Sequence, residues 1–84
     1  MNVYVLRNDW FISSVEKHDI IGVFQKKEDA GLVMETDYMD FSRENNDWEY
    51  TEKGEDYLKI SDHKEFPDNW CEWWIEEYKV QDHV

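Results

Sequence analysis

The sequence predicts an α+β domain with one helix packed on an antiparallel sheet, in the order β-β-α-β-β-β. Three observations lead there. β-Branched and aromatic runs stand at both ends of the chain, a central segment has helical spacing, and turn-forming residues separate the rest. The 84 residues make a single domain, 1–84, near the lower size limit for folding without staples. Fourteen aromatics, five of them Trp, supply the core, since each buries on the order of 150–250 Å².

Val3-Tyr4-Val5-Leu6 reads as the first strand, extended or capped by Trp10-Phe11-Ile12 after the polar Arg7-Asn8-Asp9. Ile20-Ile21-Gly22-Val23-Phe24 reads as the second. Being apolar throughout, it is expected at the centre of the sheet, with Gly22 marking a bulge or a close approach. From 26 to 41, Ala30, Val33, Met34, Tyr38 and Phe41 recur at three- and four-residue steps, which predicts a helix with these side chains inward. Glu28 and Asp29 fall in its first turn, where the helix dipole favours acids. Gly31 weakens it by about 1 kcal/mol relative to Ala.

After a polar break at 42–46, acids and aromatics alternate in Asp47-Trp48-Glu49-Tyr50-Thr51, the pattern of a half-buried strand. Glu52-Lys53-Gly54-Glu55 reads as a turn and Tyr57-Leu58-Lys59-Ile60 as the returning strand. Phe66-Pro67-Asp68-Asn69 interrupts the chain again. Residues 70–80 fit two periods. A strand puts Cys71, Trp73, Ile75 and Glu77 on one face; a helix capped by Asp68 clusters Trp70, Trp73 and Trp74. The density of Trp and Tyr, with Ile75 and Val80, favours the strand.

Charge is the dominant property. Twenty-one acids against nine bases leave a formal net charge of −12, beyond the ~2–8 units that suffice for solubility. Residues 1–34 carry five acids and four bases, residues 35–56 nine acids and two bases, and residues 62–84 seven acids and two bases. The first third therefore reads as scaffold and the remainder as the functional part. Such a balance opposes direct contact with nucleic acid or anionic lipid, because phosphate binding needs Lys and Arg. The longest apolar run, residues 20–24, is far below the ~20 residues that cross a bilayer. Arg7 and Asp9 in the first ten residues do not fit a secretory leader, and the expected location is the cytoplasm.

The expected partner is a basic protein, and no catalytic residue, metal or cofactor is expected. The lone Cys71 excludes an internal disulfide and, between Trp residues, reads as buried and inert. His18, His63 and His83 lack zinc-ligand spacing. Asp37, Asp40 and Glu44 have helical spacing that could attract a divalent cation, but without the Gly and rhythm of a calcium loop they read as a solvated face. Glycosidase-type carboxylate pairs need a water-excluding pocket, and here the acids lie in polar segments.

The candidate acidic binding face comprises Glu35, Asp37, Asp40, Glu44, Asp47, Glu49, Glu52, Glu55, Asp56, Glu72 and Glu76. If Trp48 and Tyr50 face the core, Asp47 and Glu49 face solvent. Trp70 and Trp74 are candidate interface aromatics, with a homodimer through the Trp-rich strand as one expected use.

Val3-Tyr4-Val5, Ile20-Ile21-Gly22-Val23-Phe24 and Lys27-Glu28-Asp29-Ala30, with Ile75-Glu76-Glu77-Tyr78-Lys79-Val80 at the end, resemble a class of small phage and bacterial β-β-α-β proteins. The resemblance covers about half the chain and implies that 42–69 is an insertion carrying much of the charge. In size and acidity the chain also resembles acidic early phage proteins that act against host or defence proteins. These include anti-CRISPR and anti-restriction inhibitors of defence nucleases, and inhibitors of the nucleoid protein HU. That resemblance implies a DNA mimic that occupies the DNA-binding surface of a host protein, HU first.

Overall fold

The computed structural model describes residues 1–80, and within them the expected element order is found. The elements are β1 (Asn2–Ile12), β2 (Val15–Phe24), α1 (Lys27–Glu44), β3 (Tyr50–Gly54), β4 (Tyr57–Ser61) and β5 (Trp70–Lys79). They form one five-stranded sheet in the order β2-β1-β5-β4-β3, every neighbouring pair antiparallel. The last strand thus lies between the first and the fourth, and α1 covers one face.

β1 and β2 are joined by Ser13 and Ser14, both left-handed at φ 52° and 67°. Positive φ at both central positions is the type I′ hairpin geometry, which matches the strand twist, and non-glycine residues adopt it at a cost. Outside contacts hold the turn. The Ser13 N–H donates to Asn69 Oδ1 at 2.9 Å. Asn69 is in turn held by Asp62, whose Oδ1 accepts the backbone N–H of Asp68 and Asn69 and whose Oδ2 accepts Asn69 Nδ2. Partial burial pushes the Asp62 carboxyl up, but these donors outweigh it and the group titrates below its ordinary value. Further along the hairpin, Asp9 and Glu16 flank the His18 ring at 2.9 and 3.1 Å. The hydrogen bond to Asp9, more than any other contact, raises the imidazole pKa.

β2 departs from expectation. It is the edge of the sheet, not its centre, with Ile20, Ile21 and Val23 all exposed. An unbroken apolar run marks a strand covered on both faces only if both faces are covered. Here Phe24 packs against the core while the rest of the apolar run is left uncovered. The β1–β2 register shifts between Leu6 and Arg7, so that Leu6 pairs Gly22 and Arg7 pairs Ile20, a bulge beside the glycine. The Phe24 ring lies over Gly22, where a Cβ would meet it at 3.0 Å.

The core lies between α1 and the inward-pointing residues of the middle strands: Leu6 on β1, Leu58 and Ile60 on β4, Cys71 and Trp73 on β5, and Met34 from the helix. β5 alternates as its period demands, Cys71 and Trp73 inward and Trp70 and Trp74 on the open face. Trp73 is 1% exposed and meets Tyr38 and Phe41 edge-on at 5.8 and 5.7 Å. Its indole N–H donates to Asp37 Oδ2 at 2.9 Å. α1 runs three residues beyond the expected end, and Val33, expected inward, is exposed while Ala30 and Met34 are buried. The third strand starts at Tyr50, later than expected. Trp48 precedes it and packs on Phe41 at 5.2 Å, and the exposed Tyr50 is on the open face.

Two outcomes check this packing. Leu6→Ala removes a fully buried side chain and is expected to lower stability in urea unfolding by about 2–5 kcal/mol, whereas the exposed Leu32→Ala stays within about 0.5 kcal/mol. Because the folded state raises the His18 pKa, its stabilisation is fully present below the unfolded value of about 6.5 and is lost as pH rises through the folded value. The stability difference between the native chain and His18→Gln therefore shrinks with rising pH; a difference flat between about pH 5 and 9 contradicts the pairing.

Candidate functional site

The eleven candidate carboxylates divide between the two layers of the fold. Glu35, Asp37, Asp40 and Glu44 lie on α1, Asp47 and Glu49 on the connection to β3, Glu52 on β3, and Glu55 and Asp56 at the β3–β4 turn. Glu72 and Glu76 lie on the opposite, open face of the sheet, and Glu52, across from Lys59 on β4, points to that same face. No single surface holds all eleven.

Pairing divides them further. Glu55 and Asp56 face Lys27 Nζ at 3.7 and 3.0 Å, Glu35 faces Lys53 at 3.7 Å, and Asp40 faces Arg43 at 3.6 Å. Exposed pairs of this kind contribute ~0–1 kcal/mol and leave the carboxylates accessible. On the open face, Glu72 Oε2 accepts the Tyr57 hydroxyl at 3.1 Å, and burial with the neighbouring charge pushes that phenol up to about 12. Glu76 accepts the Tyr78 hydroxyl and the Trp74 indole N–H, and Arg7 Nε lies 3.0 Å away without its N–H aimed at the oxygen. These donors, Tyr78 first, hold the Glu76 carboxyl below its usual range. Glu72 and Glu76 are therefore built into the sheet surface. Trp70, on the same face, stacks on Phe11 at 6.3 Å and carries Lys59 Nζ 5.6 Å from its ring.

Glu44, Asp47, Glu49 and Glu52 have no salt-bridge partner among the described residues. The helix end explains how they are presented. Asn45 turns the chain by donating its backbone N–H and its Nδ2 to the Phe41 carbonyl at 3.0 and 3.1 Å. The Trp48 N–H then bonds the Asn45 carbonyl, and the Trp48 ring folds back onto Phe41. With the apolar side chains anchored inward, the intervening acids are left outward. Glu44, the last helical residue, stands at the negative end of the helix dipole, where an acid is unfavourable. Its position does not serve stability.

Beside this run, the second half of α1 and the far end of β1 leave a groove of about 390 Å³. Asp37, Asp40 and Glu44 form its helical rim, and Trp10, Ile12 and Phe41 supply apolar walls. The floor includes Asn8, Cys71 and Trp73. Asn8 is 9% exposed and donates Nδ2 to Cys71 Sγ at 3.3 Å and to the Glu72 carbonyl at 2.9 Å. The carbonyl partner fixes which end of the amide is nitrogen, and Oδ1 takes no hydrogen bond from the described residues. Burial pushes the Cys71 thiol up to about 12, so it is no nucleophile at neutral pH.

Sequence reasoning named the acids of this rim but not Asn8 and Trp10. The available signal was a polar residue on the inward period of a strand, at Asn8 between Leu6 and Trp10. Elsewhere, Asp62, His63 and Asp68 bring one ligand atom each within 4.8 Å of one another, but Asp62 already uses both oxygens on N–H donors. His83 lies outside the described residues. No described helix is long and apolar enough to cross a membrane.

No known family, curated protein or solved structure matches the chain.

Glu44→Gln removes the unfavourable charge at the helix end. It is expected to raise stability by about 0.3–1 kcal/mol at low ionic strength, less in high salt, as read from urea midpoints. A loss of stability would mean that Glu44 has a structural partner.

Proposed function

We propose that the protein binds a basic protein surface by presenting carboxylates where that surface takes nucleic-acid phosphates, and so inhibits a host DNA-binding protein, HU first. The observation that carries this reading is the run of exposed acids Glu44, Asp47, Glu49 and Glu52, none with an ion-pair partner among the described residues, from the helix end into β3. It is held on an elongated body of 51 × 22 × 20 Å. A radius of gyration of 14.3 Å exceeds the roughly 12 Å expected for a compact chain of this length. Rods of this cross-section resemble a short duplex in outline. Duplex DNA carries one charge per ~1.7 Å, about thirty over that length, so the net charge of −12 reaches about two-fifths of that density. A groove shaped for phosphates meets fixed acceptors here without the ordering cost of a flexible acidic tail.

Competition decides the matter. Purified HU is expected to bind the protein and to be displaced from labelled duplex DNA by it. The affinity should fall by at least about tenfold as salt rises from about 50 to 200 mM. Changing Asp47, Glu49 and Glu52 together to their amides should weaken binding and flatten the salt response while the circular dichroism spectrum is retained. Binding indifferent to salt, or simultaneous with DNA, contradicts the reading. Capture of nuclease subunits in place of nucleoid proteins from a host lysate redirects it to a defence enzyme.

A further inference from the structure

The groove between α1 and β1 offers mainly carboxylate and amide oxygens, set among apolar and aromatic side chains, to whatever enters it. None of the residues lining it carries positive charge. Asn8, nine-tenths buried, has both amide hydrogens engaged below and keeps Oδ1 without a donor among the described residues. Asp37 gives Oδ2 to the Trp73 indole, Asp40 meets only the exposed Arg43 at 3.6 Å, and Glu44 has no ion-pair partner among the described residues. Trp10 and Phe41 add aromatic surface beside these oxygens. Asn8 Oδ1 is not sealed from the groove, and an accessible acceptor without a protein donor is free to take one from a ligand.

We infer that this groove receives an arginine side chain of the basic partner. The five N–H donors of a planar guanidinium match a set of carboxylate and amide oxygens, and its flat face stacks on aromatic rings. A lysine ammonium is a compact, strongly hydrated point charge that uses the ring walls less well. The volume, about 390 Å³, lies within the ~300–1,000 Å³ range of small-ligand sites and admits one such side chain from outside. The inference rests on the reading that the partner is a basic protein, and it supplies that reading with a point of specificity beyond overall charge.

The probe is N-acetyl-arginine amide, titrated into isotope-labelled protein while the indole N–H signals of Trp10 and Trp73 are followed. N-acetyl-citrulline amide, of the same shape but neutral, and N-acetyl-lysine amide serve as comparisons. Saturable shifts at both indoles are expected, with arginine at least about tenfold tighter than citrulline and tighter than lysine. Glu44→Gln and Asp40→Asn, both at exposed positions that leave the fold intact, should each weaken arginine binding severalfold. Glu65→Gln, in the loop before β5, should not. Equal binding of citrulline, absence of saturable shifts, or affinity unchanged in both groove variants overturns the inference. Any of these leaves the salt-dependent competition with DNA standing. Loss of that competition with arginine binding intact removes the wider reading and keeps the groove.

Discussion

Trp73 joins the two layers of the domain through both parts of its indole. The ring fills the space beneath α1, edge-on to Tyr38 and Phe41, while the N–H reaches Asp37 on the same helix. The apolar contacts alone would allow the helix to slide or rotate by a fraction of a turn. A directional bond of 2.9 Å to a carboxylate does not. Because β5 lies in the middle of the sheet, this attachment fixes α1 relative to β1 and β4 as well. The groove, its acidic rim and the turn at Asn45 all depend on that placement. Asp37 contributes to both, with one oxygen structural and its carboxylate on the groove rim.

The core pattern was legible in the sequence where period and burial agree. β5 shows this best, since alternate residues separate Cys71 and Trp73 from Trp70 and Trp74 as a strand requires. Ala30, Met34, Tyr38 and Phe41 likewise mark the inner face of α1 by spacing alone. β2 was misplaced because hydrophobicity reports which side chains prefer burial, not whether a cover exists. On β2 Phe24 packs against the core, while Ile20 and Val23 remain outside. The placement of β5 beside β1 rests on pairs 59 to 77 positions apart, from Phe11–Trp70 to Asn2–Lys79, and no local pattern encodes them.

The acids were equally visible as residues, but their surroundings were not. Glu72 and Glu76 carry the same formal charge as Glu44 and Glu49. The sheet gives the first two Tyr and Trp donors, while the helix end leaves the second two in water. Asn8 and Trp10 became site residues only when β1 and α1 met. The inward period marks Asn8 as unusual, but that it faces a groove depends on where α1 packs.

The order of strands also distributes charge across the width of the molecule. β2, at one edge, is close to neutral, while β3 and the connection leading into it carry Asp47, Glu49 and Glu52 at the other. The domain is therefore a permanent electric dipole as well as a polyanion. In the field of a cationic surface it experiences a torque before contact, turning the acidic side forward and the β2 edge back. Fewer encounters are then wasted on the wrong orientation, and the apolar edge of β2 arrives facing away from the partner.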